Sequence, residues 1–325
     1  MSDNQDKFSR QILAFGKEGQ RRIASTKVGI VGLGGMGSCV AQMLSYLGTE
    51  EFILVDDDRV EESNLNRLVG ATEEDVTNKT AKVEVAQRAI RSINPKANIQ
   101  MLGNLRSEEA IESLSAFPDV IFGCVDNDSA RMILTDLAAA YKKTLIDCAT
   151  EIETDGDKVT NFGGRVVVAR PGDFCLWCAN QIDAEIARQE LESDKEKEFR
   201  QNHGYGLGPM VPAPAVISLN TTIAGLAVTE FIILLTGIRD PERMLTYKGM
   251  RRGIVTASND VKKSDCLVCN FLVGKREKAD LKRYLRSNLP TDLPAHQPRR
   301  AGRCGVSPHG ETPKRKVPRL FPPSY

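Results

Sequence analysis

Short β-branched runs alternate with amphipathic helical stretches in the first half of the chain. A glycine-rich turn follows the first run, and two Cys-x-x-Cys pairs stand far apart in the second half. Together these predict an α/β fold: a doubly wound, Rossmann-like, mostly parallel sheet with a C-terminal extension stapled through its cysteines. The 325 residues, 41% hydrophobic and 27% charged, suffice for one large core or two modest ones.

The elements follow in order. KVGIV (27–31) opens the sheet, apolar throughout as a strand covered on both faces must be. A helix near 36–48 leads to EFILVD (51–56), and a second helix over 82–93 is closed by Asn94-Pro95. ANIQML (97–102), a helix over 107–114, DVIFGCV (119–125), a helix over 129–141 and TLIDC (144–148) complete the alternation. FGGRVVVAR (162–170) reads as an added strand, and the charged residues 182–202 as an exposed helix or mobile loop. APAVISLNTTIAGLAVTEFIILLTG (213–237) is long enough to span a bilayer, but Ser218, Asn220, two threonines and Glu230 favour a buried helix. Two short strands and the second cysteine pair come next. From about 287 the chain is rich in proline and arginine, which predicts a disordered basic tail.

Lys and Arg total 44 against 43 Asp and Glu, so no global field argues for nucleic acid or a membrane as partner. MSDNQDKFSR carries no apolar leader, which gives the expectation of a cytoplasmic protein.

Ligands of doubly wound sheets bind beyond the carboxyl ends of the strands, here near Gly32, Asp56 and Asp126. Gly32-x-Gly34-x-x-Gly37, with Gly35 inside it, fits a dinucleotide fingerprint, and Asp56 stands where a ribose-binding acid belongs. Alone, that pattern suggests NAD and an oxidoreductase. The neighbouring charges point elsewhere. A pyrophosphate carries about two negative charges, which glycine amides and a helix N-terminus satisfy. A triphosphate carries about four and calls for cations and Mg²⁺. Arg10, Arg67, Lys82 and a metal-binding Asp126 supply that set, so ATP is the expected nucleotide.

The segments FSRQILAFGKEGQ, VGIVGLGGMGS, VDDDRVEESNLNR, KVEVAQRAIRSINP and VDNDSAR, with the two cysteine pairs, resemble the E1-like adenylating enzymes of the ThiF/MoeB/HesA family, which are related to the activating enzymes of ubiquitin-like proteins. The resemblance covers roughly residues 8–270. It implies an adenylation domain over 1–274, with a nucleotide half (20–150) and a zinc and substrate-channel half (151–274), followed by a helical then disordered tail (275–325). It further implies that Gly32, Gly34, Gly35 and Gly37 admit the nucleotide and Asp56 holds the ribose. Asn64, Arg67 and Lys82 would grip phosphates, Asp126 would bind Mg²⁺ beside Asn127, and Arg10 would reach the site of a partner subunit in a homodimer. The implied reaction is attack of a C-terminal glycine carboxylate, from a ubiquitin-like or sulfur-carrier protein, on the α-phosphate of ATP. A non-catalytic scaffold of the same fold is the alternative.

Cys175, Cys178, Cys266 and Cys269 suit a tetrahedral structural zinc; a redox pair would need only one motif, despite Trp177 between the first two. Cys39, Cys124 and Cys148 lie in apolar contexts and read as core residues. Three points stay open in the sequence. Lys79 competes with Lys82 for the phosphate role, Lys82 keeping the helical register to Asn94-Pro95. Relatives carry a catalytic cysteine where residues 203–220 have none, so either the adenylate passes directly to another acceptor or Cys304 substitutes. His203 reads equally as a channel or a surface residue.

Overall fold

The computed structural model describes residues 7–192 and 214–285. Residues 193–202 of the charged segment, His203, and the tail with Cys304 lie outside the described residues. One eight-stranded sheet organises the chain, in the order β3-β2-β1-β4-β5-β6-β7-β8. Strands β1 (Lys27–Val31), β2 (Glu51–Val55), β3 (Asn98–Leu102), β4 (Val120–Gly123) and β5 (Thr144–Asp155) are mutually parallel. The remaining β6 (Lys158–Ala169), β7 (Met244–Lys248) and β8 (Ile254–Ala257) continue as an antiparallel meander. Strand order reverses between β1 and β4, and a crevice for a ligand forms at such a switch point.

Alternation along the central strands explains the two layers. Val31, Ile53, Val55 and Ile121 face one apolar cluster, while Val28, Ile30, Phe52, Leu54, Val120 and Phe122 face the other. Over the second face lie α1 (Ser9–Ser25), α2 (Gly35–Leu47), α4 (Lys82–Ile93) and the apolar α8 (Ile217–Thr236), with the short α3 (Glu73–Thr77) between. Over the first face lie α5 (Glu108–Ala116), α6 (Asp128–Tyr141), α7 (Ala184–Leu191) and the cysteine cluster. Residues 276–285 pack into this same layer, where Tyr284 Oη donates to the buried Asp136 at 2.6 Å.

Helix α8 is the one described helix long and apolar enough to cross a membrane, and half of its most apolar window is buried inside the chain. Its acid is fully satisfied. Glu230 accepts from Arg239 at 2.5 and 3.1 Å and from the Glu242 amide at 2.8 Å. A buried carboxylate with a guanidinium partner is the usual solution in a protein core.

Three strand boundaries differ from expectation, β6 starting at Lys158 rather than 162. β4 stops at Gly123 rather than 125, freeing Cys124 and Val125 to form the floor of the crevice. β5 runs on to Asp155 rather than ending at 148, because ATEIETD pairs with β6 across a bend at Gly156. That half is half-buried from Ala149 to Glu153 and exposed at Thr154 and Asp155, so it lacks the continuous apolar run that marks a buried strand.

Glu151 lies in this extension, where burial, and next the repulsion of Glu153, push its carboxyl up to about 7 from 4.5. The folded chain therefore keeps a proton that the unfolded chain has lost. Its contribution to stability falls as pH rises from about 4.5 to about 7 and is flat above. Glu151→Gln is expected to remove that decline, read as the change in urea midpoint between pH 5 and 7.5. An undiminished decline in the variant would assign it to another group.

Candidate functional site

The site is built around the turn from β1 into α2. Gly32 takes φ +85°, and a Cβ there would stand 2.5 Å from the Cys124 carbonyl oxygen. Gly37 is tighter still: a Cβ would lie 1.9 Å from the Gly32 carbonyl oxygen, so strand and helix approach closely only because the side chain is missing. Gly37→Ala is expected to destabilise the fold by about 3 kcal/mol or more, since the obstruction is backbone. Gly34→Ala meets nothing within 4 Å and serves as the control in the same denaturation series, losing only the ~1 kcal/mol of an alanine N-cap. Gly34 caps α2 without a side-chain hydrogen bond, which leaves the first-turn amides open toward the crevice.

Asp56, just past β2, accepts from the Leu33 amide at 2.6 Å and from the Asp58 amide at 2.9 Å. It fixes the turn that it is expected to serve. Burial raises its pKa, against the opposing pull of Lys82. Lys82, at the start of α4, keeps a largely buried stem and reaches Asp58 at 2.7 Å. Lys79 instead sits at positive φ in an exposed turn, where it offers its carbonyl to Arg59. The placement supports Lys82 for the phosphate role. Asp58, given no role from sequence, is the counter-charge that holds Lys82 in place.

Arg67 lays its stem over the turn: Cγ and Cδ lie 3.1 and 3.2 Å from the point a Gly35 Cβ would occupy. Its guanidinium is exposed, bonded to the Ser63 carbonyl and, at 3.1 Å, to Asn66 Oδ1. Asn64 and Asn127 are partly committed elsewhere. The Asn64 oxygen closes a capping box with the Glu61 amide at 3.1 Å, leaving its Nδ2 a single 3.5 Å contact to Ser63. The Asn127 oxygen caps α6 through Ala130 N at 2.8 Å and also accepts from Ser129 Oγ at 3.0 Å. Either residue can offer a ligand only its Nδ2. Asp126 is exposed beyond β4, two residues past Cys124, and belongs to no group of three metal-capable side chains among the described residues.

Arg10 is not brought to this crevice within one chain. Its helix is anchored at the far end of α2, with Phe8 over Gly48, Gln11 donating to the Tyr46 carbonyl at 2.9 Å, and Lys7 donating to that of Ile93 at 3.0 Å. Helix α2 has 13 residues, about 20 Å, and it separates Arg10 from the glycine turn.

The four paired cysteines converge. All are buried, with sulfurs within 4.8 Å of one another and contacts of 3.8, 3.5 and 3.8 Å for Cys175–Cys178, Cys175–Cys266 and Cys178–Cys269. A tetrahedral ion with bonds of about 2.3 Å sets sulfurs about 3.8 Å apart, so the set fits zinc. Amides of Lys263 and Cys269 point at Cys178 and Cys266 at 3.4 and 3.5 Å, as donors to thiolates do. Cys39 and Cys148 are core residues as expected, but Cys124 is half-buried beneath the turn. Contact with Cys148 and burial push its thiol well up, which makes it a poor nucleophile. Sequence reasoning missed Asn220, noted only as a polar interruption of α8; its amide packs against Gly35.

Comparison with known proteins bears on this arrangement. The sequence profile described as the ThiF family matches residues 8–268. The sulfur carrier protein ThiS adenylyltransferase of Escherichia coli (strain K12) is 32% identical over 182 residues, 54% of this chain and 68% of that protein. The SAMP-activating enzyme E1 of Haloferax volcanii is 36% identical over 175 residues, 53% of this chain and 61% of that enzyme. Among solved structures, E. coli MccB crystallised with ATP superposes with a TM-score of 0.62 at 20% identity, over 82% of this chain and 74% of that one. That likeness concerns the fold.

Proposed function

The chain belongs to the ThiF family, and on that premise we propose that it adenylates the C-terminal glycine carboxylate of a ubiquitin-like or sulfur-carrier protein. One observation carries the reading. Arg67 and Lys82 flank an uncapped helix N-terminus on the β2 side of the turn, with Asp56 between turn and lysine. Lys82 is paired with Asp58, so Arg67, which has no acidic partner among the described residues, adds the cation that a dinucleotide pyrophosphate does not need and a triphosphate does. The names of the relatives, adenylyltransferases and an activating enzyme, support it.

The chemistry follows from charge. A carboxylate oxygen attacks the α-phosphorus, the bond between that phosphorus and the bridging oxygen to the β-phosphate breaks, and pyrophosphate leaves with the electron pair. The acyl-adenylate that remains has a good leaving group. The carboxylate is already ionised, so no general base is required. The protein holds the reactants in line and neutralises charge. The open amides of α2 receive the α-phosphate, while Arg67 and Lys82 hold the departing pyrophosphate. Asp126 would hold Mg²⁺, which lowers the repulsion among phosphate oxygens when bound. Zinc at the four cysteines would staple the segment after 170 to that near 268, and with four protein ligands it leaves no open position for catalysis.

Arg10, at the far end of α2 from its own glycine turn, is assigned to the site of a second copy in a homodimer, as the family resemblance implies. A cytoplasmic setting would keep the cysteines reduced for metal. Exchange of labelled pyrophosphate into ATP tests the proposal. Exchange that requires a β-grasp protein ending in glycine is expected. Mg·ATP binding without exchange, across the glycine-terminated β-grasp proteins of the same genome, would leave the chain a scaffold.

A further inference from the structure

Asn220 stands on the first turn of α8 and is 4% exposed. Its oxygen accepts from Thr150 Oγ1 of β5 at 3.4 Å. The other end of the amide, Nδ2, lies 2.3 Å from the point that a Cβ on Gly35 would occupy, and it meets no protein acceptor among the described residues. Both Nδ2 hydrogens stay available on a residue only 4% exposed, where a leucine would pack against α2 with more apolar contact. The amide is aimed at the first residue of the helix whose open N-terminus forms the phosphate cradle.

The sheet order separates what approaches this spot. Arg67, Lys82 and Asp56 come from the β2 side of β1, whereas Asn220 and Thr150 come from the β5 side. In-line displacement needs the carboxylate and the leaving pyrophosphate on opposite sides of the α-phosphorus. The cations mark the pyrophosphate side. On the other side a further cation would compete for phosphate, while a neutral donor can orient a carboxylate without doing so.

Given the adenylation reading above, on which this rests, we infer that Asn220 donates through Nδ2 to the acyl oxygen of the substrate, positioning the attacking carboxylate and then the acyl-adenylate. It is thus a substrate-binding residue on the acyl side of the site, distinct from the phosphate ligands.

Calorimetric titration of the full chain with glycylsulfamoyl-adenosine, AMP and Mg·ATP tests this without the carrier protein. The wild type is expected to bind the acyl-adenylate analogue more tightly than AMP. Asn220→Ala and the similarly sized, uncharged Asn220→Leu are expected to weaken the analogue about tenfold, the scale of one hydrogen bond to a polar ligand, with AMP and Mg·ATP changed by less than about twofold, the leucine variant holding the melting temperature near that of the wild type. Thr150→Val, which opens no cavity and releases the amide from its tether, gives a smaller loss in the same direction. Unchanged preference for the analogue in all three variants overturns the inference. Equal weakening of all three ligands also overturns it, because Asn220 would then serve the nucleotide turn. A wild type that binds Mg·ATP but shows no preference for the analogue over AMP instead removes the adenylation reading itself.

Discussion

Arg67→Ala is expected to lower pyrophosphate exchange by about 10²–10³-fold, the loss seen when one preorganised donor to developing charge is removed. The side chain does two things that alanine cannot. Its stem covers Gly35 at the mouth of the helix N-terminus, and its guanidinium is tethered beside the turn by Ser63 and Asn66, where the proposed function needs a cation. Arg67→Lys keeps the charge but loses the fork that both tethers and binds, so it recovers only part of the rate. Because the guanidinium is exposed and makes no buried ion pair, both variants should melt with the wild type. Lys82→Ala differs instructively. It leaves Asp58 without a partner and removes the charge that opposes the raised pKa of Asp56, so it should weaken Mg·ATP binding as well as exchange. Arg67→Ala with wild-type exchange would remove Arg67 from the machinery.

Cys266→Ser is expected to cost the most stability of any single change outside the turn. The four sulfurs belong to the cluster that also holds Phe174, Leu176, Val268, Leu281 and Tyr284, so the ion would join β6, the residues after it and the 276–285 segment into one layer. Metal binding free energy in such a site is folding free energy, on the order of 10 kcal/mol apparent for four protein ligands. Loss of one ligand, or a strong chelator, should release about one zinc per chain and unfold this layer, lowering the thermal midpoint far more than Cys39→Ser. Zinc absent from the purified protein, with a midpoint indifferent to chelator, would leave these residues as packed thiols.

The parallel half of the fold was legible because its strands are covered on both faces and read as unbroken apolar runs. The β5–β6 extension was not, since its polar, half-buried to exposed residues resemble loop as much as strand. The ends of β1, β2 and β4 marked the edge of the sheet where Gly32, Asp56 and Asp126 stand, and the glycine spacing marked the turn. Side-chain commitments were beyond reach. Nothing local tells that the Asn127 oxygen caps a helix, that Asp58 answers Lys82, or that the helix bearing Arg10 is anchored away from its own turn. Asn220 stayed hidden for the same reason: it lies 185 residues from Gly35, and only the packing of α8 on α2 joins them.

The most direct measurement is a crystal structure of the protein with Mg·ATP. The account predicts the α-phosphate at the amides of Gly35 and its neighbours, with Arg67 and Lys82 on the β- and γ-phosphates and Asp56 on the ribose. A triphosphate bound away from the glycine turn, or Arg67 and Lys82 left without phosphate contacts, would contradict it.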